Sequence, residues 1–458
     1  MPRNADSSGI FHAYDVRGVW GKEINPVVAQ RLGASVLAKS ELPVLVGRDT
    51  RAASQQLQEH FLRGLRTQGH PIVDLGILPT PAMGFAARSL GRYGFVLSPS
   101  HNPVGYVGVK GFSRKGVPYS REWRVVSQRF QKTSFRPSSR PVSQIPMTKN
   151  TSWDWEAAYV SNLTKDRKSG LRVVLDARGG AMASVGPRAL RTLGAEVVEL
   201  HTGYSPTFFG CSPEPTPENI HPLEQRVVAE GADIGITFDG DGDRVLFVDE
   251  RGRRLDPEMV ACFLHQGLSG PGQPLVATVD ASYRCEEFTK VVRSKVGGRF
   301  VTQSLARRGG NVGFEVSSHF YLTDLAPDSD GLLTACVLLS LLADANYRPS
   351  QLRKTFGEIF RSTAVFPFAN TKLAIENYRR IRDRWDEKTE PSPDGIYLLL
   401  GPVRALLRPS NTQPILRLSV EASSKRELEH YVQKFQEALL RLRRAPGYRA
   451  PKVQCSYP

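Results

Sequence analysis

The chain has 458 residues, 40% of them hydrophobic and 23% charged, with 61 Lys and Arg against 45 Asp and Glu and a formal net charge of +16. That length exceeds what one hydrophobic core supports, so a soluble protein of several globular domains is expected. Five scattered cysteines without CxxC spacing indicate neither a disulfide framework nor a zinc knuckle. The positive excess points to anions, either nucleic acid or an anionic metabolite, without choosing between them.

Met1 to Phe11 is polar and lacks the apolar core of a signal peptide. Residues 11–21, FHAYDVRGVWG, combine aromatic, acidic and basic side chains with two glycines and read as a loop. Pro43-Val44-Leu45-Val46 predicts a buried strand, Gly47-Arg48-Asp49-Thr50-Arg51 a polar turn, and Leu57, Phe61, Leu62 and Leu65 an amphipathic helix. Strand and polar turn return at Val173 to Gly180 and again at Leu275 to Asp280, so three α/β domains are expected. Pro137 to Thr151 has the composition of a linker, and further boundaries are placed near Gly252 to Pro257 and Arg361 to Phe366. The expected domains are therefore 1–150, 151–254, 255–363 and 364–458. Leu332 to Ala343 is too short to span a bilayer and ends at Asp344, which predicts a buried helix and, by default, a cytoplasmic protein. Beyond the last boundary, Gly395 to Leu400 and Ile415 to Val420 read as strands and Lys425 to Leu442 as an amphipathic helix, a smaller α+β unit. The basic cluster Arg441-Leu442-Arg443-Arg444 reads as a solvated helix end.

Four stretches carry the chemistry. Asp239-Gly240-Asp241-Gly242-Asp243-Arg244 lies between the apolar runs Ile234 to Phe238 and Val245 to Val248, so it predicts a tight loop joining two buried strands. Its three carboxylates suit a hard cation, Mg²⁺ or Ca²⁺, and a solvated acidic turn is the competing reading. An EF-hand fails, because Arg244 stands where that loop needs glycine and the flanks are strand-like. Ser98-Pro99-Ser100-His101-Asn102-Pro103 sets a hydroxyl beside an imidazole in a proline-pinned loop; a plain proline turn competes, and no G-x-S-x-G elbow surrounds Ser100. Arg408-Pro409-Ser410-Asn411-Thr412-Gln413-Pro414, with Arg417 beyond it, gathers groups suited to a phosphate, against an ordinary hairpin loop. Phe314-Glu315-Val316-Ser317-Ser318-His319 would, if extended, aim Glu315, Ser317 and His319 one way, as sugar recognition requires; an exposed strand edge is the alternative.

Together FHAYDVRG, SPSHNP, DGDGDR, FEVSSH and RPSNTQP resemble, in order and across nearly the whole chain, the loops of the α-D-phosphohexomutase superfamily, in particular its bacterial phosphomannomutase/phosphoglucomutase type. The resemblance implies an α/β fold class, with three similar α/β domains plus a smaller C-terminal α+β domain around a central cleft. It implies that Ser100 carries the phosphoryl group and that Asp239, Asp241 and Asp243 bind Mg²⁺ together with a phosphoserine oxygen. Arg17, His101, Lys110 and Arg244 match the catalytic surroundings, with His101 and Lys110 candidates for proton transfer. Tyr14, Glu315, Ser317 and His319 are candidate sugar contacts, and Arg408, Ser410, Asn411, Thr412 and Arg417 candidate phosphate contacts. The implied reaction interconverts hexose 6-phosphate and 1-phosphate, mannose or glucose, through a bisphosphorylated sugar, with glucose 1,6-bisphosphate as activator. A glucosamine-phosphate mutase and a non-catalytic phosphosugar-binding protein are the alternatives. Implied partners are the phosphorylated hexose alone, without nucleic acid or membrane, in a monomer or weak homodimer. Asp280, Leu305-Ala306, Phe314 and Ser318 depart from the family pattern, and each departure is expected to bear on sugar recognition.

Overall fold

The computed structural model describes residues 7–12, 14–36, 42–132, 153–385, 388–401, 403–410, 414–442 and 452–456. The expected linker and Arg443-Arg444 lie outside these. The chain forms two compact units, Met1–Leu255 with Ser317–Gln351, and Asp256–Val316 with Leu352–Pro458.

The first unit contains two sheets. In one, β-branched Val44–Arg48 runs parallel to Ile72–Ile77 and Gly94–Leu97, and Tyr106–Phe112 returns antiparallel between Gly94–Leu97 and Val16–Val19. Helices Pro26–Ser35 and Ala52–Thr67 pack on it at close range. Their contact has no room for side chains: a Cβ on Gly33 would lie 2.1 Å from the Phe61 carbonyl oxygen, and one on Gly64 would lie 1.9 Å from that of Gln30. The second sheet has Arg172–Asp176 parallel to Glu196–Leu200 and Ile234–Phe238. Val245–Asp249 folds back antiparallel on Ile234–Phe238, pairing Phe238 with Val245, so the Asp loop is the tip of a hairpin whose strands are wholly buried. The apolar run at Leu332 forms the helix Gly331–Asp344, capped by Asp330, whose carboxylate accepts from the Leu333 amide and from the Tyr159 hydroxyl. Among the described residues, no helix is long and apolar enough to cross a membrane.

In the second unit, Leu275–Thr278 runs parallel to Val291–Ser294 and Val312–Phe314. An antiparallel sheet follows, in the order 389–392, 395–400, 403–409, 415–422, 360–367, 452–456, with a core that includes Leu398, Leu407, Leu418, Leu428 and Phe435. Phe360–Pro367 belongs whole to this sheet, so Arg361 to Phe366 lies inside a strand rather than between domains. Arg361 donates to Glu258 at 2.6 Å and stands 3.5 Å from Glu421, while Ser282 Oγ donates to Glu421 at 2.5 Å and the Tyr397 hydroxyl to the Val279 carbonyl at 3.0 Å. The α/β and C-terminal parts of this unit are thus joined through buried polar contacts.

Two sequence expectations change. Glu315 to His319 is a turn, with Ser318 at φ +68°, so the extended alternation expected here is absent, and Ser317 and His319 meet through the turn instead. Leu305 and Phe314 are fully buried in the core, on a helix and a strand, so these two departures belong to packing and not to sugar contact.

Two substitutions test this packing. Gly64→Ala meets backbone rather than a yielding side chain and should lower unfolding free energy by about 1–3 kcal/mol in a denaturant titration; an unchanged midpoint would refute the close helix contact. Arg361→Met strands Glu258, 1% exposed on its side chain, and should destabilise by about 3–5 kcal/mol near neutrality. Burial raises the Glu258 pKa, but Arg361 outweighs it and holds the carboxyl low. Its stabilising contribution is therefore present above the unfolded pKa and lost as pH falls. The gap between variant and parent should narrow on acidification through about pH 4, as thermal melts across pH would record.

Candidate functional site

Ser100 sits in a turn after the buried strand Gly94–Leu97, 2% exposed and at φ +57°, a left-handed conformation strained for serine. A second layer holds it there. The Ser100 amide donates to Ser98 Oγ (3.0 Å), Ser98 Oγ donates to Asp49 Oδ2 (2.8 Å), and Asp49 pairs with Arg51 Nε (3.0 Å). Arg51 in turn donates to the carbonyls of Ser100 (2.6 Å) and Pro103 (2.7 Å) and lies over the Phe208 ring. Burial penalises both charges, raising the Asp49 pKa and lowering that of Arg51, so the pair persists because its hydrogen bonds are made within the fold. Sequence reasoning passed over Asp49 and Arg51; the available signal was an Asp-x-Arg at the end of a buried strand.

The Ser100 hydroxyl donates to Asp239 Oδ2 at 2.8 Å. His101 Nδ1 is 3.2 Å from the same hydroxyl but also 2.9 Å from Arg244 Nη2, which can only donate. Nδ1 is therefore an acceptor and His101 is neutral. Burial, Arg244 and Arg17 push its pKa down to about 2. Arg244 is further fixed by Glu214 at 3.0 Å, and Arg17 by Asp15 (2.6 Å) and Asn102 (2.7 Å). Tyr14 lies two residues before Val16–Val19, half-buried.

Asp239, Asp241 and Asp243 present carboxylate oxygens that all lie within 4.8 Å of one another, the one such acidic group among the described residues. Gly242, at φ +78°, allows the hairpin tip to turn so that the Gly242 and Arg244 amides both donate to Asp239 Oδ1. Thr80, at the start of the helix Thr80–Leu90, donates to Asp241 Oδ2 from its hydroxyl and to the Asp241 carbonyl from its amide. Lys110 Nζ bridges Asp241 Oδ2 (2.6 Å) and Asp243 Oδ2 (2.8 Å). Burial opposes the ammonium, but these two acids outweigh it and hold the Lys110 pKa above its ordinary value. Burial and the charges of Asp243 and Asp241 push Asp239 up to about 7. Burial acts on Asp243 likewise, yet Lys110 and His319 outweigh it and hold that carboxyl well below the usual range. Among the described residues, the buried Asp241 Oδ1 and Asp243 Oδ1 have no hydrogen-bond partner, although His319 Nε2 lies 3.4 Å from the latter. An all-oxygen set with two acceptors unfilled suits a hard divalent cation. Ser317 Oγ lies 2.9 Å from His319 Nδ1, so His319 belongs beside the acids as well as near a candidate sugar contact.

In the second unit, Arg408 stands directly opposite Arg417 on paired strands. Arg408 is nearly buried, and burial and Arg408 together lower the Arg417 pKa. Ser410, 9% exposed, donates its amide to the Ile415 carbonyl. Asn411 and Thr412 lie outside the described residues. Glu315, also nearly buried, accepts from the Gly297 amide at 3.2 Å, a contact no sequence motif announced. Two like charges directly opposite on a sheet repel, so Arg408 and Arg417 favour an anion between them.

Family models described as Phosphoglucomutase/phosphomannomutase match the chain in four places: alpha/beta/alpha domain I at residues 8–137, domain II at 156–252, domain III at 258–359, and the C-terminal domain at 376–438. The chain is 32% identical over 454 residues to the phosphoglucosamine mutase of Moorella thermoacetica, covering 92% of this chain and 97% of that one. It is 31% identical to that of Geobacillus kaustophilus, covering 94% and 98%. The crystal structure of a phosphoglucomutase/phosphomannomutase family protein from Burkholderia thailandensis superposes with a TM-score of 0.82 at 29% identity, covering 96% of this chain and 98% of that one. Parafusin from Paramecium, at 15% identity and a TM-score of 0.77, shares the fold. Three similar α/β domains, a C-terminal domain and these matches place the chain in the α-D-phosphohexomutase superfamily.

Proposed function

We propose that this chain is a Mg²⁺-dependent phosphohexomutase that carries its phosphoryl group on Ser100 and interconverts glucosamine 6-phosphate and glucosamine 1-phosphate. The observation that carries the reaction is the 2.8 Å contact from the Ser100 hydroxyl to Asp239, within the acidic cluster. The amino sugar is supported by the names of relatives at 32% and 31% identity over nearly the full chain. Mannose or glucose phosphate is the second reading, supported by the description of the Burkholderia thailandensis structure.

Asp239, Asp241 and Asp243 would hold Mg²⁺, which, when bound, neutralises phosphoryl oxygen charge. The residues around it do the rest. Arg51 and Asp49 fix the loop so that Ser100 Oγ has one position, and Arg244 and Arg17 bring further positive charge to that end. Transfer from phosphoserine to a sugar hydroxyl forms the new P–O bond as the P–Oγ bond breaks, with the sugar proton passing to a base and the departing Ser100 Oγ taking up a proton; the reverse transfer, from the other end of the bisphosphate, regenerates phosphoserine. Lys110 and His101 are the proposed proton carriers. Arg408, Ser410, Asn411, Thr412 and Arg417 would hold the phosphate that is not reacting, and Tyr14, Glu315, Ser317 and His319 would meet the sugar. A trace of glucose 1,6-bisphosphate would prime the serine.

The test supplies the protein with Mg²⁺, that primer and glucosamine 1-phosphate, and measures the 6-phosphate formed; glucose 1-phosphate and mannose 1-phosphate run in parallel. Turnover should be greatest with the amino sugar, fall by about 10³-fold or more in Ser100→Ala, and cease on chelation of the metal and return when Mg²⁺ is restored. Equal turnover by Ser100→Ala would overturn the phosphoserine, and preference for a neutral hexose would favour the second reading.

A further inference from the structure

Arg408 does not face Arg417 alone. Asp280, from the loop after Leu275–Thr278, places Oδ2 3.6 Å from Arg408 Nη2, and Asp394 places Oδ2 3.8 Å from Arg408 Nη1. Both are ion pairs by distance and neither is a hydrogen bond. Among the described residues, the buried atoms Asp280 Oδ1, Asp394 Oδ2 and Arg417 Nε have no hydrogen-bond partner. A fold does not ordinarily leave donors and acceptors unmet in one place, since each buried one costs about 1–3 kcal/mol. Here they are unmet together, and they are of both kinds.

The mixture restricts what can fill the site. A bare phosphate would satisfy the guanidiniums, but it would also approach the Asp280 carboxylate and be repelled by it. A ligand that brings acceptors for Arg408 and Arg417 and, on a neighbouring atom, a cationic donor for Asp280 would satisfy both. Glucosamine 1-phosphate has that pattern, because its amine is on the carbon next to the one bearing phosphate. Glucose 1-phosphate has only a neutral hydroxyl there. Asp280 is the accessible acid of the two, with 21% of its side chain exposed against 12% for Asp394.

We infer that Asp280 is a specificity-determining residue that receives the ammonium of an amino-sugar 1-phosphate while Arg408 and Arg417 hold the phosphate beside it. This rests on the mutase reading for its substrate, but the contact itself is a matter of binding. The experiment therefore measures dissociation constants by calorimetry as well as rates, near neutral pH, on the full chain with Mg²⁺. The parent should bind glucosamine 1-phosphate more tightly than glucose 1-phosphate. Asp280→Asn, nearly isosteric, should cut that preference by about 10-fold, the scale of one charge-assisted hydrogen bond, in the ratio of dissociation constants and in the ratio of kcat/KM values. If the parent shows no preference, or if Asp280→Asn changes affinity for both sugars equally, Asp280 only steadies Arg408 and the inference fails. If neither sugar turns over but the binding preference and its loss are both seen, the mutase reading fails while the Asp280 contact stands.

Discussion

The hydrogen bond from a buried serine to the first of three clustered aspartates is the constraint around which the first unit is arranged. For Ser100 to reach Asp239, its loop must adopt a left-handed turn, and a strained turn at a buried serine persists only if its surroundings fix it from several directions. Arg51 does this through two carbonyls, and Asp49 through the Ser98 hydroxyl. Asp239 in turn stays put because two amides of its own hairpin point at it. The rigidity of the nucleophile and that of the acids come from different sheets, which is why a serine and an aspartate 139 residues apart can be positioned to hydrogen-bond distance.

Charge balance is the second theme. In each unit, ionic groups that would repel one another are collected and only partly compensated within the protein. Lys110 answers two of the three aspartates, leaving unfilled oxygens on Asp241 and Asp243. Asp280 and Asp394 answer Arg408 at arm's length, leaving Arg417 Nε unmet among the described residues. The first imbalance suits a divalent cation and the second an anion with a positive neighbour. Incomplete compensation of this kind keeps ligand binding from having to break strong internal bonds.

Much of this was legible in the sequence where the governing physics is local. Alternating Asp and Gly between two apolar runs pointed to a tight loop between buried strands, and the apolar segment at Leu332, too short to span a bilayer, pointed to a buried helix. What was not legible depends on distant partners. Asp49 and Arg51 look like an ordinary turn until the fold brings Ser98 and Ser100 to them, and Thr80 carries no motif at all. Glu315 to His319 misled because period-two spacing is meaningful only in extended backbone, and Ser318 turns left-handed. Leu305 and Phe314, which looked like altered sugar contacts, are core residues because the helix and the strand that carry them turn both side chains inward.

The ties among Glu258, Ser282, Arg361 and Glu421 bear on how this protein can be cut. The recognised third family segment ends at residue 359 and the fourth begins at 376, yet a cut between them would leave Glu258 and Glu421, both beside Arg361, on separate pieces. Fragments designed from family boundaries alone should therefore be poorly behaved in isolation, because the compact unit that holds the last sheet also contains Asp256–Val316.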